Sequence, residues 1–117
     1  SVKQWSRLAL LNDSVANVFR ILAGGTLDWV NLYRIIETIA SEVGGMQMIV
    51  ENGWATNVSI KQFRHTANSP CALGLDARHA VEKTQPPKHP MPISEARALV
   101  YSIIHAWLRS KAQGSGS

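Results

Sequence analysis

The strongest constraint on the fold is a run of apolar residues at helical spacing that ends at a pair of glycines. Its apolar positions recur every three or four residues and so share one face of a helix; they are Trp29, Leu32, Tyr33, Ile36, Ile39, Ala40 and Val43. Gly44-Gly45 ends the pattern, because glycine accepts the positive φ angles at which helices often stop. Thr26 is the predicted N-cap, which would place Asp28 in the first turn, where a negative charge favours the helix dipole. A helix with such a face must bury it against other elements.

Two further segments carry the same periodicity. In residues 2–23 the apolar positions are Trp5, Leu8, Leu11, Val15, Val18, Phe19 and Leu22. Asn12-Asp13-Ser14 is predicted to interrupt this segment, since these residues prefer caps and turns to helix interiors, and Gly24-Gly25 to end it. The last helix is predicted to begin at Ser94-Glu95, with an apolar face of Ala96, Leu99, Val100, Ile103, Ile104, Trp107 and Leu108. All three segments predict long amphipathic helices.

The middle of the chain is less regular. Met46 to Val50 is short and apolar, and Asn52-Gly53 predicts a turn after it. Ser59 can cap a helix over residues 60–67 that Asn68-Ser69-Pro70 closes, and residues 71–82 can form another short helix. Residues 84–92 contain four prolines and are predicted to lie as an extended strap, because proline lacks the N–H that a helix needs.

These elements predict an all-α fold, a compact bundle of five or six helices with a proline-rich strap before the last one. No segment alternates apolar and polar residues for long enough to indicate a sheet. With 117 residues the chain fits one domain, predicted over residues 1–112. Residues 113–117 include Gly-Ser-Gly-Ser, have the composition of a flexible linker, and are predicted to be a tail.

The composition indicates in which compartment the protein is expected and whether it is expected to bind a cofactor. No apolar run approaches the roughly 20 residues that span a bilayer, and no N-terminal signal pattern is present. The single Cys71 excludes an internal disulfide and favours a reducing compartment, so we expect a cytoplasmic protein without a membrane partner. The four histidines lack the spacing of a helical metal site, and the glycine pairs do not form a phosphate loop, so we expect no metal and no cofactor.

The net charge of +4 is carried by the second half of the chain. Residues 1–58 contain four Lys/Arg and five Asp/Glu, whereas residues 59–117 contain eight Lys/Arg and three Asp/Glu. Such an asymmetry favours an anionic partner, although a solvated basic surface explains it equally well.

Part of that charge lies in a cluster around the turn at Pro70. The candidate binding residues there are Lys61, Arg64, His65, Asn68, Arg78 and His79. Arginine presents a fixed fork of donors that suits phosphate or carboxylate, so the two Arg-His pairs could form one anion pocket. The alternative is structural: Asn68 would end a helix, and Arg78 would pair with an acidic residue and hold the strap.

A second group of candidates follows four-residue steps along the last helix. Arg97, Tyr101, His105 and Arg109 are predicted to share one face, and an aromatic ring among cationic groups suits a nucleic-acid backbone or an acidic protein. A solvated face opposite the apolar stripe is the alternative.

Residues 49–65 contain a possible DNA-binding motif, formed by Ile49, Glu51, Gly53, Thr56, Asn57, Val58, Ser59, Phe63, Arg64 and His65. This pattern resembles the helix-turn-helix of MerR-type regulators, in which Gly or Asn takes the turn and Val-Ser opens the recognition helix. Asn52 departs from it, because that position of the motif is apolar. The resemblance implies DNA binding.

A broader pattern runs from Gly53 to Leu108. It comprises residues 63–70, Ala72-Leu73-Gly74, Ala77-Arg78-His79-Ala80 and the prolines with Met91. This half of the chain resembles uncharacterised bacterial helical proteins similar to the HEPN and abortive-infection group. The resemblance implies an Arg/His-dependent ribonuclease, but no Arg here has a His at the spacing that HEPN ribonucleases use.

Together these patterns favour a small basic helical binding module over an enzyme. Its expected partner is a nucleic acid or an acidic protein surface, engaged through the Arg/His cluster. The alternatives are a HEPN-like ribonuclease, a helix-turn-helix DNA-binding protein and a structural domain that forms a homo-oligomer, which would expose an apolar patch.

Overall fold

The computed structural model describes residues 2–69 and 89–115. In this part of the chain all regular structure is helical, which confirms the all-α prediction. The six helices are α1 (Val2–Leu11), α2 (Asp13–Ala23), α3 (Trp29–Val43), α4 (Met46–Glu51), α5 (Asn57–Ala67) and α6 (Ile93–Ser115). The last helix includes the first three residues of the predicted tail. The predicted helix over 71–82 and most of the strap lie outside the described residues; residues 90–92 are described and are not helical.

The breaks between helices follow the polar and glycine residues. Asn12 is extended and caps α2, because its side chain accepts a hydrogen bond from the Val15 backbone N–H at 3.0 Å. Gly44 ends α3 in the left-handed region with a φ of 107°, and Asn52 ends α4. The predicted interruption is confirmed at Asn12, whereas Asp13 and Ser14 belong to the first turn of α2. The predicted stops are confirmed.

Two predicted N-caps are wrong. Asp28, not Thr26, caps α3, and its carboxylate accepts from the Asn31 N–H at 2.9 Å. Thr56, not Ser59, caps α5, so that this helix begins three residues earlier than expected. In both cases several side-chain oxygens stand close together in the sequence, and the path of the chain decides which of them meets the free N–H groups.

The core surrounds α3, which packs against α2, α4, α5 and α6. Five α3 side chains are buried, namely Leu32, Ile35, Ile36, Ile39 and Ala40. The largest apolar partner from α6 is Trp107, which is 1% exposed. Trp5 and Trp29 are only partly buried at the edge of this core. The three predicted apolar faces thus meet in one core, which includes Trp107. Leu11 is an exception, because it was predicted on the first of these faces and is 79% exposed.

A carboxylate on α3 joins this core to α6. The Trp107 Nε1–H donates to the Glu42 Oε1 at 3.1 Å, and Lys111 forms an ion pair with the same carboxylate. The Lys111 ammonium also lies 5.3 Å from the centroid of the Trp107 ring. Burial alone would raise the pKa of Glu42, but the hydrogen bonds and charge of these partners outweigh it and leave the pKa below its ordinary value.

We expect Trp107→Ala to lower the free energy of unfolding by about 3–5 kcal/mol, because the substitution leaves a large cavity and removes the hydrogen bond to Glu42. Urea denaturation followed by circular dichroism measures this loss. Leu10→Ala is the matched control: Leu10 is 86% exposed, so the change should stay within about 0.5 kcal/mol. A comparable loss in both variants would contradict the central position of Trp107.

We also expect stability to fall on acidification because of Glu42. A pKa that is lower in the folded state means that the unfolded chain binds the proton more readily. The stabilising contribution is therefore complete above the unfolded pKa of about 4.3 and is lost as the pH falls through the folded value. Glu42→Gln should lower stability at neutral pH and weaken the pH dependence in that acidic window. Glu37→Gln, an exposed position on the same helix, should leave both nearly unchanged.

Candidate functional site

Helix α5 carries four of the eight candidate residues that the structure describes. Its N-terminus is closed by Thr56, whose hydroxyl oxygen accepts from the Ser59 N–H at 3.0 Å, while the Ser59 hydroxyl donates back to the Thr56 carbonyl at 3.0 Å. One side of α5 is buried through Ile60, Phe63, Thr66 and Ala67. This buried side fixes which residues of α5 face outward.

The aromatic ring of Phe63 anchors α5 on α3. Its centroid lies 5.8 Å from that of Trp29 and 6.2 Å from that of Tyr33, whose ring is nearly parallel to it. Phe63 itself is fully buried. The rotation of α5 about its own axis is therefore set by ring packing.

The outward face of α5 brings four predicted residues together. Lys61, Arg64, His65 and Asn68 are all exposed. Arg64 and His65 lie three and four residues after Lys61, and four and three residues before Asn68, so the four residues lie on one side of the helix. We call these four residues the basic face of α5. Arg78 and His79 lie outside the described residues, so their convergence with the basic face stays a prediction.

The basic face carries positive charge without nearby acids in the sequence. No Asp or Glu occurs from residue 52 to residue 69. Among the residues that the structure describes, the ammonium of Lys61 and the guanidinium of Arg64 form no ion pair. Arg64 and His65 also lie in the last turn of α5, where positive charge is favoured by the helix dipole.

Asn68 has a structural role on this face. Its side-chain Nδ2–H donates to the Arg64 carbonyl at 2.9 Å, and it is the C-cap of α5. This confirms the structural interpretation of Asn68 and leaves its side-chain oxygen and the second N–H of its amide for a partner.

The opposite edge of α5 holds the end of the strap. The Gln62 Nε2–H donates to the His89 carbonyl at 2.8 Å. The Thr66 hydroxyl donates to the Gln62 carbonyl at 2.8 Å and accepts from the Met91 N–H at 3.0 Å. Thr66 and Met91 are both buried, so these bonds position the strap where it enters α6.

The four predicted residues of α6 are all exposed, but they have different neighbours. The Arg97 Nε–H donates to the Leu27 carbonyl at 3.0 Å, which ties α6 to the connection before α3. The His105 ring packs edge-on against Trp5 with centroids 5.1 Å apart. Tyr101 is 46% exposed, and Arg109 lines a cleft next to Trp54. Structural contacts therefore occupy two of the four positions.

Helices α4 and α5 flank a turn at the place where a helix-turn-helix was predicted. Gly53 in that turn has a φ of 76°, which favours glycine, and the two helices pack against each other. Helix α4 has only six residues. The arrangement is compatible with the resemblance to MerR-type regulators, and DNA binding stays a prediction.

Two clefts were not found by sequence reasoning. One of about 480 Å³ lies between α2 and α3 and is lined by Ser14, Asn17, Ile21, Arg34, Glu37, Thr38 and Ser41. The other, of about 240 Å³, is lined by Trp54, Ala106, Arg109, Ser110 and Gln113. Of the residues that line the second cleft, Arg109 was a candidate from the sequence, but no sequence pattern relates it to Trp54.

Exposed apolar side chains lie on different helices. Leu10 and Leu11 at the end of α1 are 86% and 79% exposed, and Val58 in the first turn of α5 is 76% exposed.

In the described ranges, no three or more His, Cys, Asp or Glu residues form a group able to hold a metal ion. Nor is any helix there both long and apolar enough to cross a membrane.

Comparisons with protein-family models, curated proteins and solved structures gave no match. The resemblance to HEPN-like proteins therefore stays a prediction, as does the ribonuclease alternative.

We expect Thr66→Val to lower the free energy of unfolding by about 1–3 kcal/mol, because the buried Met91 N–H loses its acceptor while the side-chain volume is kept. Thr66→Ser, which keeps the hydroxyl, should retain most of the stability. Chemical denaturation of the two variants measures the difference. Equal losses would show that the hydroxyl does not hold the strap.

Proposed function

We propose that the protein binds nucleic acid through the basic face of α5. The observation that supports this most directly is the exposure of Lys61, Arg64 and His65 on one side of a helix, in a stretch of sequence without a carboxylate. A nucleic-acid backbone presents closely spaced phosphates, and cations that neutralise them release bound counterions.

The two permanent cations suit phosphate in different ways. Lys61 offers a compact ammonium charge, and Arg64 offers a planar fork of donors that can bind two phosphate oxygens at once. Because both are exposed without an ion-pair partner in the described part of the chain, contact with phosphate does not require an internal ion pair to break. This favours binding over a purely structural role for these side chains.

The beginning of α5 adds groups that suit bases. Asn57 and Val58 are exposed in its first turn, and Val58 is 76% exposed. An amide can hydrogen-bond base edges, and an apolar side chain can contact a thymine methyl group. The exposed side of α5 thus combines phosphate-binding charge with base-compatible side chains.

We expect Lys61→Ala/Arg64→Ala to weaken binding of labelled DNA and RNA in fluorescence anisotropy titrations. Affinity of the unchanged protein should fall steeply between about 50 and 200 mM salt. The slope of log affinity against log salt should become shallower by about two in the variant, one for each lost phosphate contact. The melting temperature should stay nearly constant, because both side chains are exposed.

Lys3→Ala/Arg7→Ala is the matched control, since it removes the same charge from exposed positions on α1. It should leave the slope nearly unchanged. Equal effects of the two double variants would show that net charge alone attracts nucleic acid. If even low salt gave no binding, the nucleic-acid proposal would be wrong and an acidic protein surface would be the remaining anionic partner.

A further inference from the structure

The cleft between the α4–α5 turn and α6 has the chemistry of a base-binding pocket. Its volume is about 240 Å³, and its lining combines the indole of Trp54 and the guanidinium of Arg109 with the hydroxyl of Ser110 and the amide of Gln113. An aromatic ring can stack on a base, a guanidinium can stack or bind phosphate, and the two smaller polar groups can hydrogen-bond base edges.

The wall formed by Trp54 is held in place by its backbone. The Trp54 N–H donates to the Ile49 carbonyl at 3.1 Å, and the Gly53 N–H donates to the Val50 carbonyl at 2.9 Å. Part of the Trp54 side chain packs on the hydrophobic core. A ring fixed in this way loses little conformational entropy when a ligand stacks on it.

Arg109 is available on the other side of the cleft. Its side chain is exposed, and no residue in the described ranges forms a hydrogen bond or ion pair with it. None of the side chains that line the cleft is acidic. The positive charge of Arg109 therefore favours an anionic ligand.

The position of the cleft connects it to α5. Trp54 precedes the N-cap Thr56 by two residues, so the cleft lies by the N-terminal end of the helix that carries the basic face. The larger cleft between α2 and α3 is a weaker candidate, because it has no aromatic side chain and its lining includes the carboxylate of Glu37.

We propose that the Trp54–Arg109 cleft receives one unpaired base of a nucleic-acid strand whose phosphates contact the basic face of α5. This inference rests on the proposed function and assigns it a substrate class, single-stranded or unpaired nucleic acid. A paired base cannot enter such a cleft without first leaving its stack, which costs free energy. The protein should therefore prefer a single strand to a blunt duplex of the same length.

The test uses the full chain and labelled thymidine oligonucleotides of roughly 12 nucleotides, a length within the range that single binding domains cover. A blunt duplex of the same length is the comparison. Trp54→Leu should lower single-strand affinity by about 5- to 100-fold, as expected when one stacked base is lost, whereas Trp54→Phe should keep most of it. Duplex affinity should change little in either variant.

A second variant keeps the test informative if Trp54→Leu does not fold. Ala106→Leu would fill the cleft from α6 without altering Trp54, and it should lower single-strand affinity. Ala98→Leu, at an exposed position on the same helix, is its matched control and should have no effect.

The outcomes separate this inference from the proposed function. If Lys61→Ala/Arg64→Ala weakens binding but neither Trp54→Leu nor Ala106→Leu changes the ratio of single-strand to duplex affinity, the base pocket is wrong and the basic face stands. A preference of the unchanged protein for the duplex would also contradict the base pocket. If the unchanged protein binds neither oligonucleotide at low salt, both proposals are wrong. Loss of single-strand preference in Ala106→Leu but not in Ala98→Leu supports the pocket.

Discussion

The burial of α3 is the constraint on which the rest of the structure depends. This one helix supplies five buried side chains and contacts α2, α4, α5 and α6. Because the apolar side of each of those helices packs toward α3, its polar side faces the solvent. The basic face of α5 follows from this. Because Phe63 is buried beside Trp29 and Tyr33, Lys61 and Arg64 lie on the solvent-exposed side of the helix.

The polar contacts refine this arrangement at its ends. Glu42 joins α3 to Trp107 and Lys111 on α6, and Thr66 joins α5 to the strap that leads into α6. Glu42 is partly shielded from water and Thr66 is buried. A polar group left unpaired at such a position would lower the stability of the fold. A shift of α5 or α6 relative to α3 would leave these polar groups unpaired and is therefore disfavoured.

Much of the fold could be predicted because local signals and burial agree. Three of these signals depend only on residues that are close in the sequence. They are the apolar periodicity of residues 29–43, the glycines at 44–45, and Asn68. The N-caps of α3 and α5 could not be predicted from local signals. Thr26 and Asp28 both offer a capping oxygen at the start of α3, and Thr56 and Ser59 do so at the start of α5. The tertiary path of the chain decides which of the two caps the helix. The exposed face of α5 was predictable as the complement of its buried face. The Trp54–Arg109 cleft was not, because no periodicity relates a turn residue to the far end of the last helix.

The break at Asn12 sets α1 apart from the other helices. A single extended residue joins it to α2, and α1 is the one helix of the described part in which no described side chain is fully buried. It is held on α2 and α6 by Trp5, Leu8 and Ala9, which are only partly covered. Since local opening is least costly where buried contact is smallest, α1 can separate while the α3 core stays closed. We therefore expect α1 to open at a lower cost in free energy than the α3 core, with Asn12 as the boundary between the two parts.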